Sequence, residues 1–197
     1  MTYSEQEDLK TIAVVLAGKT EAFSMLIECH QSKVLAFCVY MLRNRSEAED
    51  AAQEIFIKAF TSLADFRRES AFSTWLYRIA FNHCCNLRKK SSKIRLESFD
   101  AMPEQDREKA MASNAKYQSG SDDGATLASE KVMASLPEGY RAVMALRLQG
   151  EDYRAIAMSL GISEDSVRAK LRRARLILRA RLRHFFPDLM SKISERL

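Results

Sequence analysis

Read from the N-terminus, apolar residues recur at three- and four-residue spacing and do not alternate, the mark of amphipathic helices. The first such segment runs from about Ser4 to Leu16 and ends at Gly18, a natural C-terminal cap. A second, about Ala22 to Leu42, is apolar nearly all round, as a central bundle helix should be. Ser46-Glu47-Ala48-Glu49 reads as a capping box that opens a third helix, about Glu47 to Leu63. A loop from Phe66 leads into a fourth, about Ser73 to Lys90. The periodicity then fails. Residues 91–126 hold few large apolar side chains, with Pro103, Gly120 and Gly124, and read as a flexible acidic linker.

The helical pattern returns near Thr126–Ser135, and Pro137 opens a helix that reaches about Leu148. Asp152 caps a short helix, Tyr153 to Leu160, which Gly161 ends. Ser163 caps a long one, with Glu164 and Asp165 set against its positive N-terminal dipole. Two helices joined by a tight glycine turn form a helix-turn-helix pattern. The expected fold is all-α: two small helical domains, residues 1–92 and 126–197, joined by a linker over 93–125.

Composition agrees. Six Gly and three Pro in 197 residues are too few for the turns of an all-β fold. The net charge of +5 is unevenly spread. Residues 1–65 carry ten acids and six bases, and residues 66–96 carry eight bases and one acid. Residues 97–130 carry eight acids and three bases, and residues 163–183 eight bases and two acids. Two basic blocks divided by an acidic one suggest two contacts with a polyanion.

The four cysteines, Cys29, Cys38, Cys84 and Cys85, lack zinc-site spacing. His83, Cys84 and Cys85 are consecutive on a helix and point about 100° apart, so no metal site is expected. Buried free thiols are the better reading, and with no secretory signal they fit a reduced cytoplasm. The longest apolar run, Val34–Leu42, is about half a bilayer span, so no membrane insertion is expected.

Projected at about 100° per residue, the fourth helix buries a stripe of Phe72, Leu76, Ile79, Ala80, His83 and Leu87. Thr74, Arg78, Asn82, Cys85 and Lys89 fall opposite, flanked by Trp75 on one edge and by Tyr77, Phe81 and Arg88 on the other. A polar, cationic face bordered by aromatics suits single-stranded nucleic acid, where bases stack on rings and cations meet phosphates. Phe66, Arg67 and Arg68 precede it in a loop that could hold a flipped base.

The last helix differs. Val167, Leu171, Ala174 and Leu178 form its buried stripe, while Arg168, Arg172, Arg175, Arg179 and Arg183 make one cationic ridge without aromatics. That ridge suits duplex DNA, with Ser163, Glu164, Asp165, Ser166, Arg168, Ala169 and Arg172 as candidates to meet base edges. On the third helix Asp50, Gln53, Glu54 and Ile57 follow helical spacing, and an acidic edge of this kind suits a basic protein better than phosphate.

"GKTEAFSML", "AEDAAQEIFIKAF", "FRRESAFSTWLYRIAFN" and "LPEGYRAVMALRLQGEDYRAIAMSLGISEDSVRAKLRRAR" occur in this order. Together they resemble the extracytoplasmic-function (group IV) sigma factors of bacterial RNA polymerase, in the sigma-70 family. The first three motifs are similar to region 2 and the last to region 4. The resemblance implies promoter recognition and melting, with no catalysis by this chain and no cofactor.

It also assigns roles. Asp50, Gln53, Glu54, Phe56 and Lys58 match the helix that docks on the β′ clamp helices. Phe66 and Asn82 match base-capturing positions for the −10 element, with Arg67, Arg68, Thr74, Trp75, Arg78, Arg88 and Lys89 on the same surface. Ser163–Arg175, including Arg173, matches the −35 recognition helix. Implied partners are core RNA polymerase (β′ clamp helices and β flap), promoter DNA and an anti-sigma factor able to hold a cytoplasmic protein at the inner membrane. Glu151-Asp152-Arg154-Ala155 depart from the usual family pattern, and the tail beyond His184 carries no motif.

Two other classes compete. An ordinary helix-turn-helix regulator would bind duplex operators without polymerase, but it gives no reason for the aromatic-cationic helix or the acidic one. An enzyme lacks support: there is no phosphate-binding glycine loop and no nucleophile with a base at readable spacing.

Overall fold

The computed structural model describes residues 5–100, 133 and 135–185. Among these there are seven α-helices and no strand: α1 Glu5–Leu16, α2 Phe23–Leu42, α3 Arg45–Thr61, α4 Phe72–Asp100, α5 Glu138–Leu148, α6 Tyr153–Leu160 and α7 Glu164–Phe185. Short 3-10 turns at Thr20–Ala22 and Leu63–Asp65 lead into α2 and follow α3. The fold class is the one expected from periodicity.

Local chemistry sets most boundaries. Gly18, at φ +100°, closes α1, and the Lys19 amide reaches the Val14 carbonyl at 3.3 Å. Asp152 caps α6 by accepting from the Ala155 amide at 2.7 Å. Gly161 ends α6 in the left-handed region at φ 66°, where a residue without Cβ pays no steric cost. Ser163 accepts from the Ser166 amide at 3.2 Å to start α7.

Two expectations need correction. The capping box at Ser46 is not formed: α3 starts earlier, and Asn44 accepts from the Glu47 amide at 3.2 Å. Asn44 is as good a cap as Ser and stands two residues closer to the end of α2. Glu49 pairs with Arg45 at 3.0 Å and does not reach back. The second correction concerns α4, which runs to Asp100, ten residues past its expected end. No Gly or Pro stands between Lys90 and Asp100, so nothing in the backbone stops propagation. The rest of the linker, the expected helix before Met133 and the tail after Phe185 lie outside the described residues.

The halves share one apolar core. α2 and α3 pack on each other and on α4, with Leu26, Phe37, Met41, Ile55 and Leu76 almost wholly buried. α5, α6 and α7 enclose Val143, Leu146, Ile156, Val167 and Leu171, and these join the same cluster because α5 packs on α2 and α6 on α4. Polar contacts also cross the seam. Arg141, 1% exposed, donates to the Met41 carbonyl at 3.2 Å and to the Leu136 carbonyl at 2.6 Å. It thereby caps the negative C-terminal end of α2 from the other half. The Ser159 hydroxyl donates to the Thr74 carbonyl at 3.1 Å, and Arg88 pairs with Glu138 at 3.1 Å.

Helix α1 is held by a part-buried pair in which His30 Nε2 lies 3.0 and 3.1 Å from the two Asp8 oxygens. The cysteines are free thiols. Cys38 and Cys84 are fully buried with sulfurs 3.9 Å apart, and that contact with burial raises the Cys84 pKa far above its ordinary value. Buried protonated thiols of this kind are inert. No described helix is long and apolar enough to cross a membrane.

Candidate nucleic-acid and protein interfaces

The face of α4 that the sequence offers as one surface is divided in two. Measured from Leu76 at about 100° per residue, Tyr77, Arg88, Phe81, Thr74 and Cys85 fall in one sector, and Trp75, Asn82, Lys89 and Arg78 in the other. The C-terminal half covers the first sector. Thr74 is 4% exposed beneath Ser159, Tyr77 is 2% exposed, and Arg88 is half-buried against Glu138. Burial pushes Tyr77 above its ordinary value, and burial with a hydrogen bond to Glu138 pushes the Cys85 thiol up to about 12. Arg78, Asn82 and Lys89 remain exposed and Trp75 half-buried.

Phe66 is not an exposed lure in a loop. It is 7% exposed, its ring 5.3 Å from Trp75 and 5.9 Å from Phe72, which in turn meets His30 at 5.4 Å. Of these rings Phe66 and Trp75 line a cavity of about 390 Å³, together with Arg67, Thr74 and Arg78, with Asp65, Glu69 and Ser70, and with Met158 from α6. Arg68, beside it, holds φ +58°, a left-handed backbone rare outside glycine and usual only where the surroundings impose it. An aromatic floor with guanidinium walls can take a planar base with its phosphates. Asn82 does not line this cavity; it lies along the open sector of α4.

On α3, Asp50, Gln53, Glu54 and Lys58 are exposed, while Phe56 is 6% exposed and faces inward. Beside them a groove of about 730 Å³ runs between α2 and α3, lined by Phe23, Ile27, Leu35, Phe56, Ile57 and Phe60. Ile57 is 62% exposed and Phe60 39%, large apolar side chains left against water beside an acidic edge. Phe60 and the α2 wall were not singled out from the sequence. Their signal is the extra apolar residues of "IFIKAF", more than one helical stripe can bury.

On α7, Ala169, Arg172, Arg173, Arg175 and Arg179 are exposed, over the buried stripe of Val167, Leu171 and Ala174. Leu178 is half-buried, and nothing is described of the Arg183 side chain. Arg168 differs from its neighbours. Its guanidinium pairs with Asp165 at 2.8 Å and with Glu164 at 3.4 Å, and lies 5.7 Å from the centre of the Tyr153 ring. Ser163 and Ser166 hydrogen-bond at 2.9 Å, so the helix start is preorganised. The departure at Glu151 and Asp152 leaves α6 intact: Asp152 caps it, and Glu151 is half-buried, which raises its pKa.

An all-helical fold with a helix-turn-helix unit, an arginine ridge on its last helix and an aromatic-cationic cavity beside α4 has the features of DNA-binding proteins of transcription. The sigma-70 region 2 family model matches residues 26–94, and the sigma-70 region 4 model matches residues 128–178. The chain is 32% identical over 179 residues to the RNA polymerase sigma-H factor of Pseudomonas aeruginosa, covering 87% of this chain and 92% of that one. It is 32% identical over 182 residues to the sigma factor SigW of Bacillus subtilis, covering 88% and 96%. With the sigma-E factor of Escherichia coli K12 it shares 33% identity over 181 residues, covering 87% and 93%.

Two solved structures have similar folds at 21% identity. One is CnrH in complex with the cytosolic domain of CnrY, with a TM-score of 0.66 over 89% of this chain and 96% of that one. The other is the sigma factor RpoE with the anti-sigma factor NepR from Bartonella quintana, with a TM-score of 0.57 over 82% and 96%. The chain belongs to the sigma-70 family as an extracytoplasmic-function RNA polymerase sigma factor. It serves transcription initiation as an alternative sigma factor.

Proposed function

We propose that this sigma factor divides promoter reading between its two basic surfaces. Residues up to about 92 dock on core RNA polymerase and read the −10 element. Residues 126–197 read the −35 element and meet the β flap, and residues 93–125 join them. The acidic face of α3, with Asp50, Gln53 and Glu54, and the apolar groove beside it receive the β′ clamp helices. Duplex DNA lies along Ser163–Arg175, where Arg172, Arg173 and Arg175 meet phosphates or base edges. Arg168, already held by Glu164 and Asp165, helps to fix the helix start.

The observation that carries this reading is the cavity floored by Phe66 and Trp75 and walled by Arg67 and Arg78. A base leaving the duplex gains ring and guanidinium contacts there that a paired base cannot make, so binding energy is released as the duplex melts. Asn82 and Lys89 guide the strand beyond the cavity. With Thr74 and Arg88 beneath α5 and α6, the two halves part before a strand can use the whole α4 surface. An anti-sigma factor that masks these faces would hold the protein inactive in the cytoplasm; of the two similar folds, RpoE was captured with the anti-sigma factor NepR and CnrH with the cytosolic domain of CnrY.

The test is promoter opening by core polymerase loaded with the full chain, read by fluorescence of a 2-aminopurine in the −10 element. Arg78→Ala and Asn82→Ala alter exposed residues and leave the aromatic floor intact. Opening should fall at least about tenfold, the loss of one to two good contacts, while co-elution with core is retained. Loss of opening and core binding in equal measure rejects the base-capture role. A chain that never co-elutes with core rejects the docking role.

A further inference from the structure

His83 occupies a place in the buried stripe of α4 that an apolar residue would fill. It is 5% exposed and meets two charged side chains of α3, Glu54 and Lys58, one helical turn apart. At this spacing a Glu and a Lys ordinarily pair with each other. Among the described residues these two form no direct ion pair, and both turn to the imidazole. The Lys58 ammonium contacts Nδ1, and Nε2 stands 3.6 Å from the Glu54 carboxylate, whose side chain is 58% exposed. An ammonium has no lone pair, so Lys58 donates and Nδ1 accepts. The ring proton then sits on Nε2, facing Glu54.

We propose that His83 is a positioning residue for polymerase docking, one imidazole that bridges Lys58 and Glu54 and fixes the charge pattern of the α3 docking face from within α4. The inference rests on the docking role proposed above for α3. Nε2 is buried without a hydrogen-bond partner in the resting geometry. A small swing of Glu54 supplies the partner, and the same swing sets where its free carboxylate oxygen meets a basic partner. Because Asn82 is the preceding residue, the bridge also links the docking face to the strand-guiding sector of α4.

The bridge works only with a neutral ring. Among the described residues the charges acting on the ring are Lys58 and Glu54, both from α3, and α1, α2 and the C-terminal half place none that acts on it. Burial first and Lys58 second hold the His83 pKa below its ordinary value of 6.5, against the pull of Glu54. The folded protein therefore takes up this proton at lower pH than the unfolded chain. The stability that the neutral ring contributes is present above about 6.5 and is lost as pH falls through the folded-state value. Protonation drives Lys58 away and draws Glu54 into an ion pair, which removes its negative charge from the docking face.

The experiment pairs nitrogen NMR of the full-length protein with its affinity for core RNA polymerase between pH 7.5 and 5.5. The imidazole signals should show the proton on Nε2. Wild-type affinity should fall toward pH 5.5 but by less than about tenfold, since one proton taken up below pH 6.5 can shift binding no further. His83→Gln keeps a donor toward Glu54 and cannot titrate, so it should hold near wild-type affinity at pH 7.5 and lose the fall in acid. His83→Leu should be folded by circular dichroism yet weak at every pH. A proton on Nδ1, or a His83→Gln profile identical to wild type, overturns the proposal. If the wild type binds core at no pH, the docking reading fails, and this inference with it. Binding that is strong but indifferent to His83 sinks this inference alone.

Discussion

Helices α4 and α7 both carry runs of cations, yet α7 lifts Arg172, Arg173, Arg175 and Arg179 into water while α4 is packed on two of its sides. The task proposed for each explains the difference. A duplex offers a regular phosphate lattice, and a bare ridge on a well-anchored helix can meet it. A base taken from the stack needs a floor that does not yield. The Phe66–Trp75–Phe72 cluster supplies one because the rings lock each other and rest against His30. The cost is that α4 offers less free surface, and in the closed arrangement part of it lies under α5 and α6.

The sharpest way to test the contrast is to damage the open ridge. Arg172→Glu with Arg175→Glu should weaken −35 duplex binding about a hundredfold and lower the salt slope by roughly two, measured by fluorescence anisotropy across a salt series. Arg168→Ala should cost much less, since its guanidinium is already engaged by Glu164 and Asp165. Equal losses would mean that the acids do not hold Arg168 in solution.

Next in size is the seam that covers α4. Arg141→Ala leaves the Met41 and Leu136 carbonyls without their buried donor and should cost about 2–3 kcal/mol in urea unfolding. Hydrogen exchange should rise in α4 from Thr74 to Arg88, while exchange in α7 stays near wild type. Protection unchanged at Thr74 would show that the halves do not separate at this contact. Ser159→Ala removes a single bond to the Thr74 carbonyl and should cost only about 1 kcal/mol.

The smallest effect concerns pH. Burial raises the Glu151 pKa, so its charged form opposes folding. A carboxyl whose folded-state pKa is raised contributes its full stability below the unfolded value, 4.5 for Glu, and loses it as pH climbs through the folded-state value. Glu151→Gln should therefore raise the thermal midpoint slightly at pH 7 and leave it almost unchanged at pH 4.5. A lowered midpoint at pH 7 would mean that Lys33 and His30, which pull the other way, outweigh burial.

Much of the architecture was legible because it rests on local rules. Gly18, Asp152, Gly161 and Ser163 act within a few residues of themselves, and each ends or starts its helix where the pattern places it. The buried stripe of α4 was correct at Phe72, Leu76, Ala80 and His83, since 3.6-residue periodicity reports one core-facing side. Asn44 displaced Ser46 as a cap because two good capping residues stood two positions apart, and only the path out of α2 chose between them.

The sequence by itself determined most of the described helices and caps, two basic blocks and the family that its motifs define. Tertiary structure alone decided which of the remaining faces meets water. Periodicity marks one buried side of a helix but cannot say that a second partner, about 85 residues away, covers Thr74. Nor can it say that Arg141 leaves its own half to cap α2, or that Glu54 and Lys58 turn from each other to one histidine. Those outcomes depend on long-range packing, where the energy of a contact is set by what lies opposite and not by what lies next in the chain.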